Sequence, residues 1–247
     1  MILYFTGTGN SRWAAEQLST LLNDPAICIT GTSPEDIHFS ENDKLGIVFP
    51  VYAWNVPSPM TDFLKKVNIP KNTYCFSVCT CGADCGKAIE KLQDTIGQPI
   101  SAALSLVMPN NYILSGDCDD IKKSKKRIAK ASGELAKFAE TVKASGNSYK
   151  LRRGPAPTIQ TNLISPFFFK FTMTDKPFFV EDTCISCGLC ATGCPVGNIT
   201  LSDGKPTWNG HCCMCLSCIN RCPKEAIQYT KSTKGRRRYY FTDNLLK

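Results

Sequence analysis

The sequence predicts an α/β fold for residues 1–150, a doubly wound parallel sheet of five strands, followed by a small second domain that is rich in cysteine. Three observations lead to this prediction. Short apolar runs alternate with segments of helical spacing, a loop of small and hydroxyl residues follows the first run, and one cysteine pattern occurs twice after residue 180. Alternating strands and helices are typical of a parallel sheet with helices on both faces.

The strands and helices of the first domain follow from apolar periodicity. Residues 1–6 form an apolar run of buried-strand type, and further strands are predicted near 25–30, 45–50, 73–79 and 100–107. The spacing of Ala14, Leu18 and Leu22 predicts a first helix, and further helices are predicted near 57–67, 84–97 and 117–144. Because ligands of such sheets bind at the carboxyl ends of the strands, the loops after strands one, three and four are expected to share one site.

The loop after the first strand has the composition of an anion site. It reads Thr-Gly-Thr-Gly-Asn-Ser over residues 6–11, so small residues let backbone N–H groups converge and the following helix N-terminus favours negative charge. It has neither the lysine of a P-loop nor the glycine spacing of a dinucleotide site. The loop resembles the phosphate loop of flavodoxins, which implies FMN-phosphate binding by Thr6, Thr8, Gly9, Asn10 and Ser11.

The same resemblance assigns two further loops to the flavin ring. Tyr52 and Trp54, after strand three, suit a wall against a planar heterocycle, and one of the two is expected to pack beneath the loop instead. Gly82, after strand four, permits close approach of the backbone. Residues 108–112 are expected to close the pocket. The ring is therefore assigned to Tyr52, Ala53, Trp54, Asn55, Thr80, Cys81 and Gly82.

The pattern C-x-x-C-x-x-C-x-x-x-C-P occurs twice between Cys184 and Pro223, and the copies, which begin at 184 and 212, lie 28 residues apart. Iron–sulfur clusters are held by thiolates, and two-residue gaps let a short loop wrap three of them. Structural zinc is the alternative, although zinc sites usually pair two C-x-x-C units across a longer spacer. Disulfides are not expected, because the chain opens on a strand without a signal peptide and a reducing cytoplasm is the expected location.

The repeat resembles the ligand run of bacterial ferredoxins, small α+β domains that carry two 4Fe-4S clusters. In that run the fourth cysteine of each copy binds the cluster of the other copy. The resemblance assigns one cluster to Cys184, Cys187, Cys190 and Cys222, and the second cluster to Cys212, Cys215, Cys218 and Cys194. Ile199 and Ile227, which are also 28 residues apart, are expected to pack against the clusters.

Seven of the fifteen cysteines lie outside these ligand positions. Cys75, Cys79, Cys81 and Cys85 have a spacing that suits a cluster poorly, so buried thiols are expected rather than metal ligands. Cys81 and Cys85 are expected to lie nearest the flavin. Cys213, between two ligands, is expected to be buried as packing.

Two segments lie outside the domains at 1–150 and 178–231. Prolines and glycines in residues 151–177 are expected to interrupt regular structure, and the four phenylalanines between 167 and 171 are expected to pack this linker between the domains. Residues 232–247 form a basic tail with aromatic residues. We interpret the tail as a surface patch or a contact between domains, and we do not expect it to bind nucleic acid.

The two halves together resemble a fusion family of iron–sulfur flavoproteins, in which a flavodoxin-like domain precedes a bacterial ferredoxin domain. The resemblance implies electron transfer between two 4Fe-4S clusters and FMN, with a redox partner such as a ferredoxin or a flavoenzyme. A flavin-dependent reductase of a small organic acceptor, linked to ferredoxin, and an iron–sulfur redox regulator stay open as alternatives.

Charge and composition limit the kinds of partner that the sequence predicts. The formal charge of +8 falls to about +2 once two clusters and a flavin phosphate are counted, so the basic balance does not require nucleic acid. No apolar run reaches the roughly 18 residues of a membrane span. No catalytic residue is assigned, and a homodimer is open as an alternative to a monomer.

Overall fold

The structure, a computed structural model that describes residues 1–40 and 43–246, confirms the doubly wound α/β fold. The strands of the first domain are β1 (Ile2–Tyr4), β2 (Ala26–Cys28), β3 (Lys44–Pro50), β4 (Tyr74–Cys81), β5 (Ala102–Val107) and β6 (Ser148–Lys150). Its helices are α1 (Asn10–Leu22), α2 (Ser58–Leu64), α3 (Ala88–Ile96) and α4 (Ile121–Lys143). All strands are parallel in the order β2-β1-β3-β4-β5-β6, whose first five positions follow the flavodoxin-like arrangement.

The sixth strand corrects the prediction of a five-stranded sheet. β6 is three residues long and pairs with Ala102, Ala103 and Leu104 of β5 at the sheet edge. None of its residues is buried. A strand without a buried face needs no alternation of apolar and polar residues, and the sequence there shows none that would predict a strand.

Successive strand residues point to opposite faces, and each face is covered by two helices. Trp13 of α1 and Leu135 of α4 belong to the same apolar cluster as Phe76 of β4. Met60 of α2 and Leu92 of α3 belong to the cluster on the opposite face. The β1–α1, β3–α2 and β4–α3 loops therefore meet at the carboxyl edge of the sheet.

The second domain is small and α+β, as expected. It contains β7 (Phe178–Val180), β8 (Ile199–Ser202), β9 (Lys205–Trp208) and β10 (Ile227–Tyr229), which pair as two antiparallel ribbons, β7 with β10 and β8 with β9. The domain also contains two short helices, α7 (Leu189–Thr192) and α8 (Ser217–Arg221). Helices α5 and α6 belong to the linker, which is described next. Its apolar residues are continuous with the α1 and α4 face of the first domain.

Residues 151–177 are largely helical, which corrects the expectation that prolines and glycines interrupt regular structure there. The helix runs through α5 (Pro157–Ile159), a π-helical stretch (Gln160–Ile164) and α6 (Ser165–Phe171). The π-helical stretch ends just before Pro166, whose nitrogen has no hydrogen to donate. We refer to residues 157–171 as the roof helix.

The phenylalanines of the roof helix do not all pack between the domains. The ring of Phe168 lies 6.4 Å from the ring of Tyr112, whereas Phe167 and Phe171 are exposed. The expected packing is therefore wrong for these two residues. In the described part of the chain, no helix has both the length and the apolar character that a bilayer crossing requires.

Candidate functional site

Two small cavities in the second domain are lined by the cysteines of the repeat. The first is lined by Cys184, Cys187 and Cys190 of the first copy and by Cys222 of the second. Leu201 and Ile227 are among the apolar residues that complete its wall. The fold thus brings the fourth cysteine of the second copy close to the first three cysteines of the first copy.

The second cavity shows the reciprocal arrangement. It is lined by Cys212, Cys215 and Cys218 together with Cys194. The crossing arises because α7 and α8 pack against each other, and each helix is followed closely by the fourth cysteine of its own copy. Ile199 lines the second cavity as Ile227 lines the first, so the two isoleucines occupy equivalent places.

The second copy reaches the same backbone conformation as the first without its glycine. Gly188, before α7, has φ +73°, and Leu216, the residue 28 positions later, has φ +58°. A non-glycine residue in this left-handed region costs about 1–2 kcal/mol. Leu216 accepts that strain at a position where its side chain also lines a larger cavity, described below.

The two cysteine sets differ in their exposure to water. Cys187 is exposed, whereas Cys215 and Cys218 are buried. Burial raises the pKa of the Cys212 thiol to about 12, and the nearby Asp175 carboxylate adds to the rise. Burial also raises the pKa of the Cys218 thiol well above its usual value. These thiols therefore need a positively charged group to bind as thiolates.

Asp175 is a buried acid beside the second cavity. Its Oδ2 atom accepts hydrogen bonds from Asn198 Nδ2 at 2.8 Å and from the Gly210 N–H at 2.9 Å. The backbone N–H of Asn198 in turn donates to Cys194 Sγ at 3.2 Å. The carboxylate is thus part of the network that positions the crossing cysteine.

Each cavity offers at least four cysteine thiols, a donor set that both zinc and a 4Fe-4S cluster accept. Tetrahedral zinc with Zn–S bonds of about 2.3 Å requires sulfurs within about 4 Å of one another. Among residues 1–40 and 43–246, no three His, Cys, Asp or Glu side chains converge in a way that would hold a single metal ion. A 4Fe-4S cluster places each thiolate on a different iron, so its four sulfurs are spread more widely than those around one zinc ion.

A cavity of about 280 Å³ lies at the carboxyl edge of the sheet, where the two domains meet. The first domain contributes Asn10 at the start of α1 and loops after β3, β4 and β5, while the roof helix contributes Phe168. The predicted site residues on its wall are Asn10, Tyr52, Ala53, Trp54, Thr80, Cys81 and Gly82. Pro109, Asn110, Asn111 and Tyr112 lie on the wall as well, within or beside the segment expected to close the pocket.

The loop after β3 forms a tight turn that presents Trp54. Tyr52 and Asn55 exchange backbone hydrogen bonds of 3.1 and 3.0 Å, and the two residues between them have φ values of +44° and +59°. Left-handed non-glycine residues of this kind store strain and are common at ligand sites. Trp54 Nε1 donates to Asp84 Oδ1 at 2.6 Å, which fixes the orientation of the indole.

Tyr52 and Asn55 stabilise this turn through contacts within the protein. The Tyr52 ring packs edge-on against Phe5, with 6.4 Å between centroids, and its buried hydroxyl has no hydrogen-bond partner among the described residues. Asn55 Oδ1 accepts from the Val56 N–H, and Asn55 does not line the cavity. Tyr52 therefore packs partly beneath the loop, which leaves Trp54 as the more open wall.

The predicted phosphate residues other than Asn10 lie behind the cavity wall. Thr6 Oγ1 accepts from the Gly9 N–H at 3.1 Å, and the hydroxyls of Ser11 and Thr80 are hydrogen-bonded at 2.8 Å. Thr8 Oγ1 accepts a hydrogen bond from Asn111 Nδ2. The donors and acceptors of this loop are thus largely occupied within the protein.

Two glycines let other segments approach the same loop closely. A Cβ atom on Gly7 would lie 2.6 Å from the Cys215 carbonyl oxygen, and one on Gly9 would lie 2.6 Å from Phe241 Cβ. The second domain therefore covers the loop at Gly7, and the tail covers it at Gly9. The need for glycine at position 7 was not predictable from sequence, because it depends on Cys215, a neighbour more than 200 residues away.

Residues 236–241 of the tail, which we name the strap, connect the two domains. Tyr239 N–H donates to Asn220 Oδ1 at 3.0 Å in α8, and Tyr239 Oη donates to Asn10 Oδ1 at 2.7 Å. The Phe241 N–H donates to the Thr8 carbonyl at 2.8 Å, and its ring stacks on Trp13 with 5.9 Å between centroids. The tail is thus a contact between domains rather than a free surface patch, and Lys247, its last residue, lies outside the described residues.

The structure adds cavity residues that sequence reasoning did not assign. Met214 and Leu216 reach the large cavity from the second cysteine copy, and Phe168 and Met173 reach it from the linker. Cys85 is buried and does not line the cavity, which corrects the expectation for that residue. Cys75 and Cys79 are buried in the core, and Cys213 is buried but lines the second cysteine cavity.

Comparison with protein-family models matches one segment of the second domain. Residues 177–200 match a family model described as a 4Fe-4S binding domain. No curated protein matches the chain. The family match therefore covers part of the second domain and leaves the first domain unmatched.

Solved structures similar to this chain cover its sheet region. A rubredoxin oxygen:oxidoreductase of Desulfovibrio gigas is 11% identical over 58% of this chain and 36% of that protein, with a TM-score of 0.42. A flavodoxin of Streptococcus pneumoniae TIGR4 is 18% identical over 58% of this chain and 96% of that one, with a TM-score of 0.41. This chain therefore matches little more than a third of the oxidoreductase, and the fold assignment rests on the strand order.

Proposed function

We propose that this protein transfers electrons between two 4Fe-4S clusters and FMN. The observation that carries the proposal is the position of Cys215, which lines both the second cysteine cavity and the 280 Å³ cavity. A cluster held there would share a protein wall with a flavin. When bound, the clusters exchange single electrons and the flavin accepts one or two.

The residues of the large cavity fit the ring of a flavin. Trp54 and Tyr112 provide flat apolar walls, Thr80 and Asn110 provide polar atoms, and Gly82 leaves the backbone accessible. The α1 N-terminus favours a phosphate near Asn10. Binding of that phosphate by Thr6 or Ser11 requires an exchange of their present hydrogen bonds.

The exposure of the two cysteine sets indicates which of them an external redox protein would contact. Cys187 of the first set is exposed, whereas Cys215 and Cys218 of the second set are buried and Cys215 also lines the large cavity. We therefore place the docking site of an external redox protein, such as a ferredoxin, beside the first set. The second set then separates the partner from the flavin and keeps water away from it.

Anaerobic purification of the full chain tests this function. We expect about eight irons per chain, broad absorbance near 400 nm and one releasable FMN. Photoreduction of the flavin should then be followed by electron paramagnetic resonance signals of reduced clusters. Protein that holds one zinc per cysteine set, or that does not bind offered FMN, would contradict the proposal.

Replacement of Trp54 tests the ring site. Trp54→Ala should weaken FMN binding by roughly 10- to 100-fold, because stacking of a planar ring on an aromatic side chain contributes about 1–3 kcal/mol. Trp54→Phe, which keeps an aromatic wall but cannot donate to Asp84, should weaken it much less. Titration of the deflavinated protein with FMN, followed by flavin fluorescence, measures both. Equal losses in the two variants would show that the indole hydrogen bond, and not the wall, matters.

Replacement of Asp175 tests the electrostatics of the second set. Asp175→Asn should raise the midpoint potential of that cluster by about 60 mV, which is about 1.4 kcal/mol for one electron, because a buried negative charge opposes reduction. Asp182→Asn, at an exposed acid of the same domain, is the matched control and should change neither potential appreciably. A redox titration monitored by electron paramagnetic resonance measures the shift. An unchanged potential in Asp175→Asn, with both clusters present, would exclude this role.

A further inference from the structure

The roof helix leaves five large apolar side chains exposed while it buries two hydroxyl side chains. Thr161 and Ser165 are almost fully buried against the rest of the protein, whereas five large apolar side chains face outward. Their exposed fractions are 55% for Ile159, 58% for Leu163, 44% for Ile164, 59% for Phe167 and 65% for Phe171. A helix that packs on its own core turns such apolar side chains inward, so in the described part of a single chain this outer face has no packing partner.

Hydrogen bonds hold the helix in this orientation. Thr161 Oγ1 donates to the Trp54 carbonyl at 3.2 Å and accepts from the Lys87 N–H at 2.9 Å. Phe168, on the inner side, lines the large cavity. A rotation that buried the outer face would break these contacts, so the apolar face is a fixed feature of the surface.

The outer face has the form of one continuous ridge. Ile159, Leu163, Phe167 and Phe171 follow each other at intervals of four residues, and the rings of Phe167 and Phe171 stack at 6.1 Å. Fifteen helical residues span about 22 Å. The five side chains together offer about 500 Å² of apolar surface, which is the apolar part of a standard interface of about 800 Å² per partner.

We propose that the roof helix is a homodimer interface, in which it packs against the roof helix of a second copy. Between Gly154 and Thr174 the only charged residue is Lys170, whereas the chain as a whole carries a formal +8. Charged residues are depleted from the cores of protein interfaces, so a surface with one charged residue suits the contact between two copies. The ridge is self-complementary, because i+4 ridges of two helices interdigitate when the helices cross at about −50°.

The same observations disfavour other occupants. An acidic redox protein would be selected by basic side chains, and this face offers only Lys170. A helix that lies on a membrane has a polar face rich in Lys and Arg, whereas Lys170 is the one basic residue of the roof helix. A second copy would cover the helix that carries Phe168 and so shield the roof of the large cavity from water.

Sedimentation velocity of the anaerobically purified full chain tests the proposal. The wild type should sediment with twice the chain mass of 27.2 kDa at protein concentrations near 10 µM. The double variant Leu163→Glu with Phe167→Glu should sediment as a single chain, because it places charge in the middle of the ridge. Ile121→Glu is the matched control: Ile121 is 68% exposed on α4, outside the ridge, and its replacement should leave the dimer intact.

Three results would overturn the proposal. They are a wild type that sediments as one chain, a double variant that keeps the doubled mass, and a control variant that dissociates as readily as the double variant. Co-sedimentation with phosphatidylglycerol vesicles separates the membrane alternative: a single-chain wild type that binds the vesicles through Leu163 and Phe167 would assign the face to lipid. Unchanged far-ultraviolet circular dichroism shows that the variants are folded, and Phe167→Ala, which adds no charge, should weaken the dimer at least 10-fold.

Discussion

Replacing Cys222 with alanine is expected to remove the cluster proposed at Cys184, Cys187 and Cys190 and to leave the other cluster in place. Cys222 follows α8 of the second copy, but its side chain lines the first cavity, and within the described ranges no further cysteine lines that cavity. Iron should fall from about eight to about four per chain. Iron analysis and electron paramagnetic resonance of the reduced protein measure the loss.

The reciprocal replacement has a different outcome because of Cys213. Cys213 lines the second cavity beside Cys194, so Cys194→Ala leaves a spare thiol within that set. We expect Cys194→Ala to keep part of the second cluster and the double variant Cys194→Ala with Cys213→Ala to lose it. Cys75→Ala, at a buried thiol in the sheet, is the control and should retain about eight irons. Loss of the second cluster in Cys222→Ala, with the first intact, would refute the crossed assignment.

Replacing Phe241 with alanine is expected to detach the strap from the first domain. The side chain is 2% exposed and stacks on Trp13, and removal of a buried phenylalanine costs about 3–5 kcal/mol. Hydrogen exchange measured by mass spectrometry should show the amides of Arg237 and Tyr239 exchanging about 100- to 1,000-fold faster. These amides donate to Asp117 and Asn220 in the closed strap.

Leu246→Ala is the matched control for this variant. Leu246 lies a few residues further along the tail and is 53% exposed, so its truncation should leave the exchange of the strap unchanged. FMN affinity of the Phe241→Ala protein reports on the loop beneath the strap, because Tyr239 then no longer fixes the side chain of Asn10. Unaltered exchange in Phe241→Ala would mean that the strap is held by its other contacts, such as those of Arg236 with the carbonyls of Ile113 and Leu114.

The sheet and the cysteine cavities were predictable because their signals are local. The apolar runs of β1, β3, β4 and β5 are buried on both faces, and such strands are visible in sequence as continuous apolar stretches. The spacing within each cysteine copy sets how three thiolates wrap one site. The resemblance to ferredoxins also gave the pairing that the two cavities now display, although binding of clusters by these cysteines stays a prediction.

The roof helix and the strap were not predictable in the same way. The apolar residues of the roof helix face outward, so a pattern that usually indicates burial has the opposite meaning at Leu163 and Phe167. Tyr239 and Phe241 are buried because they contact Asn10 and Trp13, near the other end of the chain. The tail itself has no apolar periodicity that would predict their burial. Contacts between such distant segments need tertiary structure to be seen.

The strap also fixes an order of events during protein synthesis. Tyr239 and Asn10, which share a hydrogen bond, are 229 residues apart in the chain. At about 5–20 residues per second, the loop at residues 6–11 leaves the ribosome at least ten seconds before the segment that covers it. The edge of the sheet therefore stays open while the second domain is being made, and the strap closes only after the cysteine repeat has been synthesised.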